Sequence, residues 1–416
     1  MRRVLKVTAM SGGLTFLKML IGFVIAKIVA VYTGPSGLAI LGQMQSLISA
    51  LNGIVSSPVG SGVVRFTAEN YSNGYRACSP WWRAALIWGV LLNILLVPLG
   101  IVFSRLLSSW VFHNDNYYWV ICISLLLLPL SAIGVLINSV INGHQQYKRY
   151  IALGLISTIA SSVLMLVLIS FYRIEGAIVA AAIQYSLIGL VLIIASVGQP
   201  WFKWKYWVGK TDKANFIKVG EYMIMAITTA VMTPLSLIVL RNILVENVGW
   251  GGVGAWQAVW KISEVYLSVI TIALTTYYLP QLSKLNSYDD IIREIQRTSL
   301  AIMPIVLISA LLVYFTRDYL LVLLFTKEFD SARDLFFWQL IGDVIKILSW
   351  MLAFPMISRG ATKWYLFSEI FFGLLLIMLA RALIPIYGVQ GANYSYIINY
   401  TIYFIFVLFN IKRFIK

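Results

Sequence analysis

Apolar residues come in blocks along this chain, and the blocks are too long and too uniform to be the inward faces of a soluble bundle. Runs able to cross a hydrocarbon layer occur at about 7–31, 38–64, 84–108, 117–141, 150–171 and 175–198. Six more follow at about 214–240, 252–280, 298–315, 335–357, 364–384 and 389–410. Inside lipid the backbone finds no water, so each run is expected as an α-helix that satisfies its own N–H and C=O groups. Turn signals separate the runs: Gly34-Pro35-Ser36-Gly37, Asn142-Gly143, Gln199-Pro200, Gly249 with Gly251-Gly252, and Pro385 before Gly388. The pattern predicts an all-α polytopic membrane protein with twelve spans. The longest basic connection, 199–218, divides six spans from six and sets the expected halves at 1–205 and 206–416. The halves echo each other at an offset of 215, Gly37 through Val63-Val64 against Gly252 through Tyr278-Leu279. A parallel repeat and chance spacing fit that echo equally well.

Composition agrees with the pattern: 60% of residues are hydrophobic and the mean hydropathy is +0.85. A net charge of +16 would suggest nucleic acid for a soluble chain. Here it follows from sidedness. With the N-terminus and every second connection on one side, the other side holds only Arg105, Arg173, Arg241, Arg317, Lys327 and Arg333. Apart from five cations inside spans, every other Lys and Arg collects on the first side, which predicts cytoplasmic termini. Met1-Arg2-Arg3 leads into no short apolar segment with a cleavage site, so the first helix is expected to be retained. Cys78 and Cys122 make no disulfide framework, and His113 and His144 are too few and too distant for a metal site or a relay. No phosphate-binding glycine loop, clustered carboxylates or large extramembrane loop supports an enzyme. The longest outer connection, about 316–334, reads as a solvated, charge-balanced surface.

The chemistry available is the five cations within spans: Lys18, Lys27, Lys261, Lys346 and Arg381. A charge at the bilayer centre costs roughly 2.5–3.5 kcal/mol on insertion scales, so such residues face water, a partner or a ligand. Lys18 lies about 11 residues into the first span, roughly 17 Å deep, where snorkelling reaches poorly. Lys27 is turned by about 180° from it and nears the outer surface, so snorkelling and a cavity both fit. Lys261 and Glu264 share a helix face beside Trp256, Gln257 and Trp260, and Asp343 and Lys346 repeat the arrangement below Trp338-Gln339. Each pair either neutralises itself or offers its lysine to an anion. Glu369 is a protonatable carboxyl or the partner of a cation, and Arg381 a ligand contact or a snorkelling charge. Arg65 with Glu69 marks the cytoplasmic mouth, as solvated charges or as an entry. An indole beside amides suits a sugar as well as it suits packing. The excess of positive charge points to an anionic ligand.

These residues resemble a known family, the Wzx-type flippases of lipid-linked oligosaccharides. That family lies within the multidrug/oligosaccharidyl-lipid/polysaccharide exporter superfamily, and the likeness is to its enterobacterial common antigen (lipid III) branch. The matching segments are Gly34-Pro35-Ser36-Gly37 after Lys18 and Lys27, Trp256-Gln257 with Ile262-Ser263-Glu264-Val265-Tyr266-Leu267, and Tyr278-Leu279-Pro280-Gln281-Leu282-Ser283. The most specific is Arg333-Asp334-Leu335, Trp338-Gln339-Leu340 and Gly342-Asp343-Val344-Ile345-Lys346. The resemblance implies two six-helix bundles around a central cavity in a bacterial inner membrane. It implies as substrate an O-antigen or common antigen type repeat unit on undecaprenyl pyrophosphate. Lys18, Lys27, Glu264, Asp343, Lys346 and Glu369 fall on charged positions of the family, while Lys261 and Arg381 depart from it. Residues expected to meet substrate are these eight together with Arg65, Gln257 and Trp260. No cofactor is expected; proton or sodium coupling through Asp343, Glu264 or Glu369 stays open. Membrane lipids, an O-antigen polymerase and a chain-length regulator are the implied partners, with no nucleic acid. The rival readings are an export antiporter for small amphipathic drugs, which for cations would place carboxylates rather than Lys18 deep in its first helix, and a membrane enzyme acting on the same lipid.

Overall fold

The computed structural model describes residues 2–285 and 287–415; Met1, Asn286 and Lys416, the last counted above with the cytoplasmic charges, lie outside them. Among the described residues there is no strand. In chain order the helices are α1 (Arg2–Ser56), α2 (Ser61–Asn70), α3 (Tyr75–Val102), α4 (Ser104–Phe112), α5 (Tyr118–Gly143) and α6 (Tyr147–Ser196). There follow α7 (Trp204–Trp207), α8 (Lys213–Ala273), α9 (Leu279–Lys284), α10 (Tyr288–Leu324), α11 (Phe336–Ser358), α12 (Thr362–Tyr387) and α13 (Val389–Ile415). Among the described residues nine helical stretches are long and apolar enough to cross a membrane. Three of them leave helical geometry partway, α1 at Gly34, α6 at Arg173 and α8 at Gly249. Since about 20 residues suffice for one crossing, each of the three holds two spans, which gives the expected twelve.

The three breaks and the turn between α12 and α13 use one backbone conformation. Gly34 has φ 63° and ψ −167°, Arg173 50° and −122°, Gly249 69° and 173°, and Gly388 58° and −138°. A positive φ with extended ψ is nearly a glycine preserve, because a Cβ meets the backbone there. Pro35 then starts the next helix, where its missing N–H leaves no bond unmade.

The chain forms two compact units, Met1–Ile25 with Gln43–Leu235 and Ala26–Gly42 with Ser236–Lys416. Residues 26–42 therefore go with the second unit and 206–235 with the first, so the packing is interleaved where the sequence halves meet at a single cut. In the first unit Val63, Trp82, Ile137, Val140 and Trp201 centre the core. In the second, Leu274, Tyr278, Ile347, Met351 and Val407 do so, and the Tyr278 hydroxyl donates to the Met351 carbonyl at 2.8 Å. Just before Pro280 the backbone widens to a π-helix over Leu274–Tyr278. Proline has no N–H to give the preceding turn, and a π segment accommodates that loss.

The connection 316–334 keeps most of its charges exposed, as expected of a solvated surface, but it is not a loop. α10 runs on to Leu324, and Lys327–Leu335 forms a 3₁₀ helix. A period of three puts Phe329, Ala332 and Leu335 on one buried face, while Arg333 reaches back to Asp318 at 2.8 Å. The charges were legible; the apolar period beneath them was overlooked.

Candidate functional site

Three helices of the second unit converge on Lys346. From α11 come Gln339, Asp343, Lys346 and Trp350 at helical spacing; from the second half of α8 come Trp256, Trp260, Glu264 and Tyr266; from α13 come Tyr396, Tyr400 and Tyr403. Gly342 lets α13 come close, since a Cβ there would lie 2.3 Å from the Tyr396 ring. The Lys346 ammonium then stands 4.8 Å from the Trp350 ring centre, 5.5 Å from Trp260 and from Tyr400, and 5.6 Å from Tyr396. Ring faces attract a cation by roughly 0.5–2 kcal/mol each, more as water is excluded. Trp256 stacks on Trp260 at 5.1 Å, and Trp260 meets Tyr396 edge-on at 5.4 Å, so the cage is braced from behind.

Asp343 is not the counter-ion expected from its spacing. Its fully buried carboxylate accepts from the hydroxyls of Tyr266 at 2.7 Å and Tyr396 at 2.9 Å, and from Gln339 Nε2 at 3.1 Å. Among the described residues Lys346 makes no ion pair. Ring quadrupoles orient the ammonium, and Asp343 and Glu264 lie within electrostatic range of it without touching it.

Lys261 behaves in the opposite way. Its Nζ lies 3.3 Å from Glu264 Oε2, and Trp260 Nε1 donates to Glu264 Oε1 at 3.0 Å, so this pair neutralises itself in a partly open place. Gln257 is buried and accepts from Arg241 Nε at 2.9 Å, which fixes it inside the unit. Arg241 was assigned to an outer connection; it is only 2% exposed and lies within α8, its guanidinium 5.7 Å from the Trp256 ring. The seventh span was expected to end at about 240, but helix continues to Gly249, with the arginine held by these buried partners.

The remaining positions separate by helix face. In α1 the exposed apolar residues Phe16, Leu20 and Val24 recur every four. Lys18 is exposed too, but two residues from Phe16 turns it about 200° away from that stripe, and so away from the lipid such a stripe meets. In α12 the exposed stripe is Phe371, Leu374 and Met378, and Arg381 continues it, as a charge extending outward along lipid does. Glu369, half-buried on the far face of α12, lies within electrostatic range of Tyr400 and Tyr403. Lys27 Nζ donates to the carbonyls of Val322, at 2.9 Å, and Phe325, the end of α10. Arg65 pairs with Glu69 at 2.8 Å with both side chains at least half exposed. Tyr266, Tyr396, Tyr400 and Arg241 were missed. The tyrosines at 396, 400 and 403, one face of an apolar helix, were the signal available.

No family model matches the chain. It is 28% identical over 394 residues to the lipid III flippases of Escherichia coli (strain K12) and Shigella flexneri, covering 94% of either chain in each case. Among solved structures it superposes on an inward-facing multidrug resistance MATE family transporter of the MOP superfamily with a TM-score of 0.75, at 12% identity and 95% coverage of both chains. The lipid II flippase MurJ in its inward closed conformation gives 0.70 at 13% identity, over 96% of this chain and 86% of that one. The fold is thus that of MOP superfamily transporters, twelve helices in two bundles, and the protein is a multi-pass membrane protein similar along its length to transporters rather than to enzymes. Within that class the resemblance to lipid-linked flippases holds, carried by the lipid III flippases along almost the whole chain.

Proposed function

We propose that this protein carries an undecaprenyl-pyrophosphate-linked oligosaccharide, of the O-antigen or enterobacterial common antigen type, from the cytoplasmic to the periplasmic leaflet of a bacterial inner membrane. The supporting observation is Lys346. Its ammonium is caged by four aromatic rings and, although Asp343 and Glu264 lie within electrostatic range, touches no carboxylate among the described residues, which leaves its donors for an anion. A pyrophosphate supplies that anion, and the surrounding indole and phenol faces suit the C–H faces of the attached sugars. Lys18 is the anion contact of the first unit. Lys261, Gln257, Lys27, Arg65 and Arg381 hold structural or interfacial posts and are not proposed to bind the diphosphate.

The headgroup crosses roughly 30 Å of hydrocarbon while its polyprenyl tail stays in lipid, by alternating exposure of the site to the two sides. Outward movement of negative charge runs with an inside-negative potential, about 2.3 kcal/mol per charge per 100 mV, which supplies a driving force without nucleotide hydrolysis. Both termini face the cytoplasm by the distribution of Lys and Arg. Lys346→Met should abolish complementation of a flippase-null strain at normal membrane expression, with the lipid-linked intermediate accumulating on the inner leaflet, and Lys346→Arg should retain part of it. Full activity of Lys346→Met would falsify the assignment. Raised drug tolerance on overexpression, with no effect on that intermediate, would favour the antiporter reading.

A further inference from the structure

The connection between α6 and α8 is clamped, not slack. Arg83 of α3 donates to the carbonyls of Lys205 at 2.6 Å and Lys210 at 3.1 Å, and Thr211 donates to Pro80 at 2.8 Å. Trp207 Nε1 bonds the Trp201 carbonyl at 3.1 Å, and the fully buried Trp201 ring lies 6.4 Å from Trp82. Phe216 stacks on Trp88 at 4.4 Å. All the fixing contacts point inward. What points outward is Trp204, 79% exposed, Val208, 48% exposed, and the exposed lysines 203, 205, 210 and 213. Asp212 is the single acidic residue between 199 and 218. The patch stands where α6 ends and α8 begins, beside the exposed apolar Ile194 and Val197.

We infer that residues 203–213 form a preorganised docking surface for anionic phospholipid headgroups at the membrane–water boundary. An indole that faces outward at a span end partitions to the headgroup level, and ammonium groups flanking it meet lipid phosphate. A soluble acidic partner would match the charge but leave Trp204 and Val208 without an apolar layer to enter. Clamping the backbone presents all these groups at once, so no ordering of the loop opposes binding. The inference stands apart from the cargo of the transporter.

The full-length protein in detergent, titrated with phosphatidylglycerol or phosphatidylcholine and read by native mass spectrometry, tests it. The wild type should retain phosphatidylglycerol more tightly. Combined Lys203→Gln, Lys205→Gln and Lys210→Gln should cut that preference by on the order of fivefold per lysine. Lys284→Gln, Arg297→Gln and Lys363→Gln together remove equal charge from exposed sites of the second unit and should leave the preference nearly unchanged. Equal loss in both triple variants, no loss in the first, or no preference in the wild type overturns the inference.

Discussion

Asp343 receives three hydrogen bonds, and those bonds hold it out of direct contact with Lys346, on which it acts only through space. A carboxylate three residues before a lysine can pair with it, and one three residues after can too, so local spacing does not decide between the two outcomes. The decision comes from Tyr266 and Tyr396, which lie 77 and 53 residues from Asp343 in sequence. Contacts of that span are invisible to a helical wheel, which is why both acid–lysine pairs looked alike. His144 poses a similar problem between α5 and α6 of the first unit. As one of two histidines it offered no metal or relay chemistry, yet its ring lies within 5.3–5.6 Å of Tyr71, Tyr75 and Trp82. Burial pushes it down to about 4, because the charged imidazolium would lose water there. Below about 6.5 the unfolded chain takes up a proton that the native ring refuses, so stability falls as pH drops from 6.5 towards 4. The window carries on the order of 3 kcal/mol. Thermal unfolding of the solubilised protein should show a midpoint falling between pH 7 and pH 5, with a smaller fall in His144→Phe. An identical fall in both proteins would assign the pH dependence to other groups.

At the scale of elements, the twelve runs were legible because hydrocarbon demands length and apolarity, and both are written locally. Helix ends were not, wherever a charged residue at a span terminus finds a buried partner. α8 continues past 240 with Arg241 held by buried partners, and the apolar period of 329, 332 and 335 turned a supposed loop into a helix. Lys27 belongs to the same category. Weighed as a ligand contact or a snorkelling charge, it instead closes the C-terminus of α10, whose last carbonyls have no helical donors and carry the negative end of the dipole. Nearby, Gly34 would place a Cβ 2.8 Å from Glu328, so the turn of α1 itself rests on the segment after α10. Lys27→Met removes a charge-assisted cap worth about 1.5–3 kcal/mol. It should lower the thermal midpoint in detergent while the surviving folded protein keeps the complementation proposed above for the wild type. Unchanged stability with lost transport would return Lys27 to the ligand-contact role.

For the whole molecule, the echo between halves gains weight from the backbone. The turn at Gly34 recurs at Gly249, and the turn at Arg173 recurs at Gly388; both pairs are separated by 215 residues, the offset read from the sequence. Gln145 and Gly360, both of positive φ, stand at the same spacing, and three such pairs at one offset favour a repeated six-span unit over chance. In three of the first four turns the residue is glycine. Arg173 alone carries a side chain at φ 50°, ψ −122°, a conformation that costs an L-residue on the order of 1–3 kcal/mol. The side chain is exposed and makes no ion pair among the described residues, so nothing visible offsets that strain. Arg173→Gly should therefore stabilise the protein, even though glycine adds about 0.4–1 kcal/mol of freedom to the unfolded chain. Arg173→Ala keeps the Cβ and loses the charge, and should leave the thermal midpoint nearly where it is. A rise confined to Arg173→Gly assigns the gain to the backbone, as the repeat requires. A fall in Arg173→Gly would mean that the arginine holds this turn through contacts worth more than its strain, and the two halves would differ here for a functional reason.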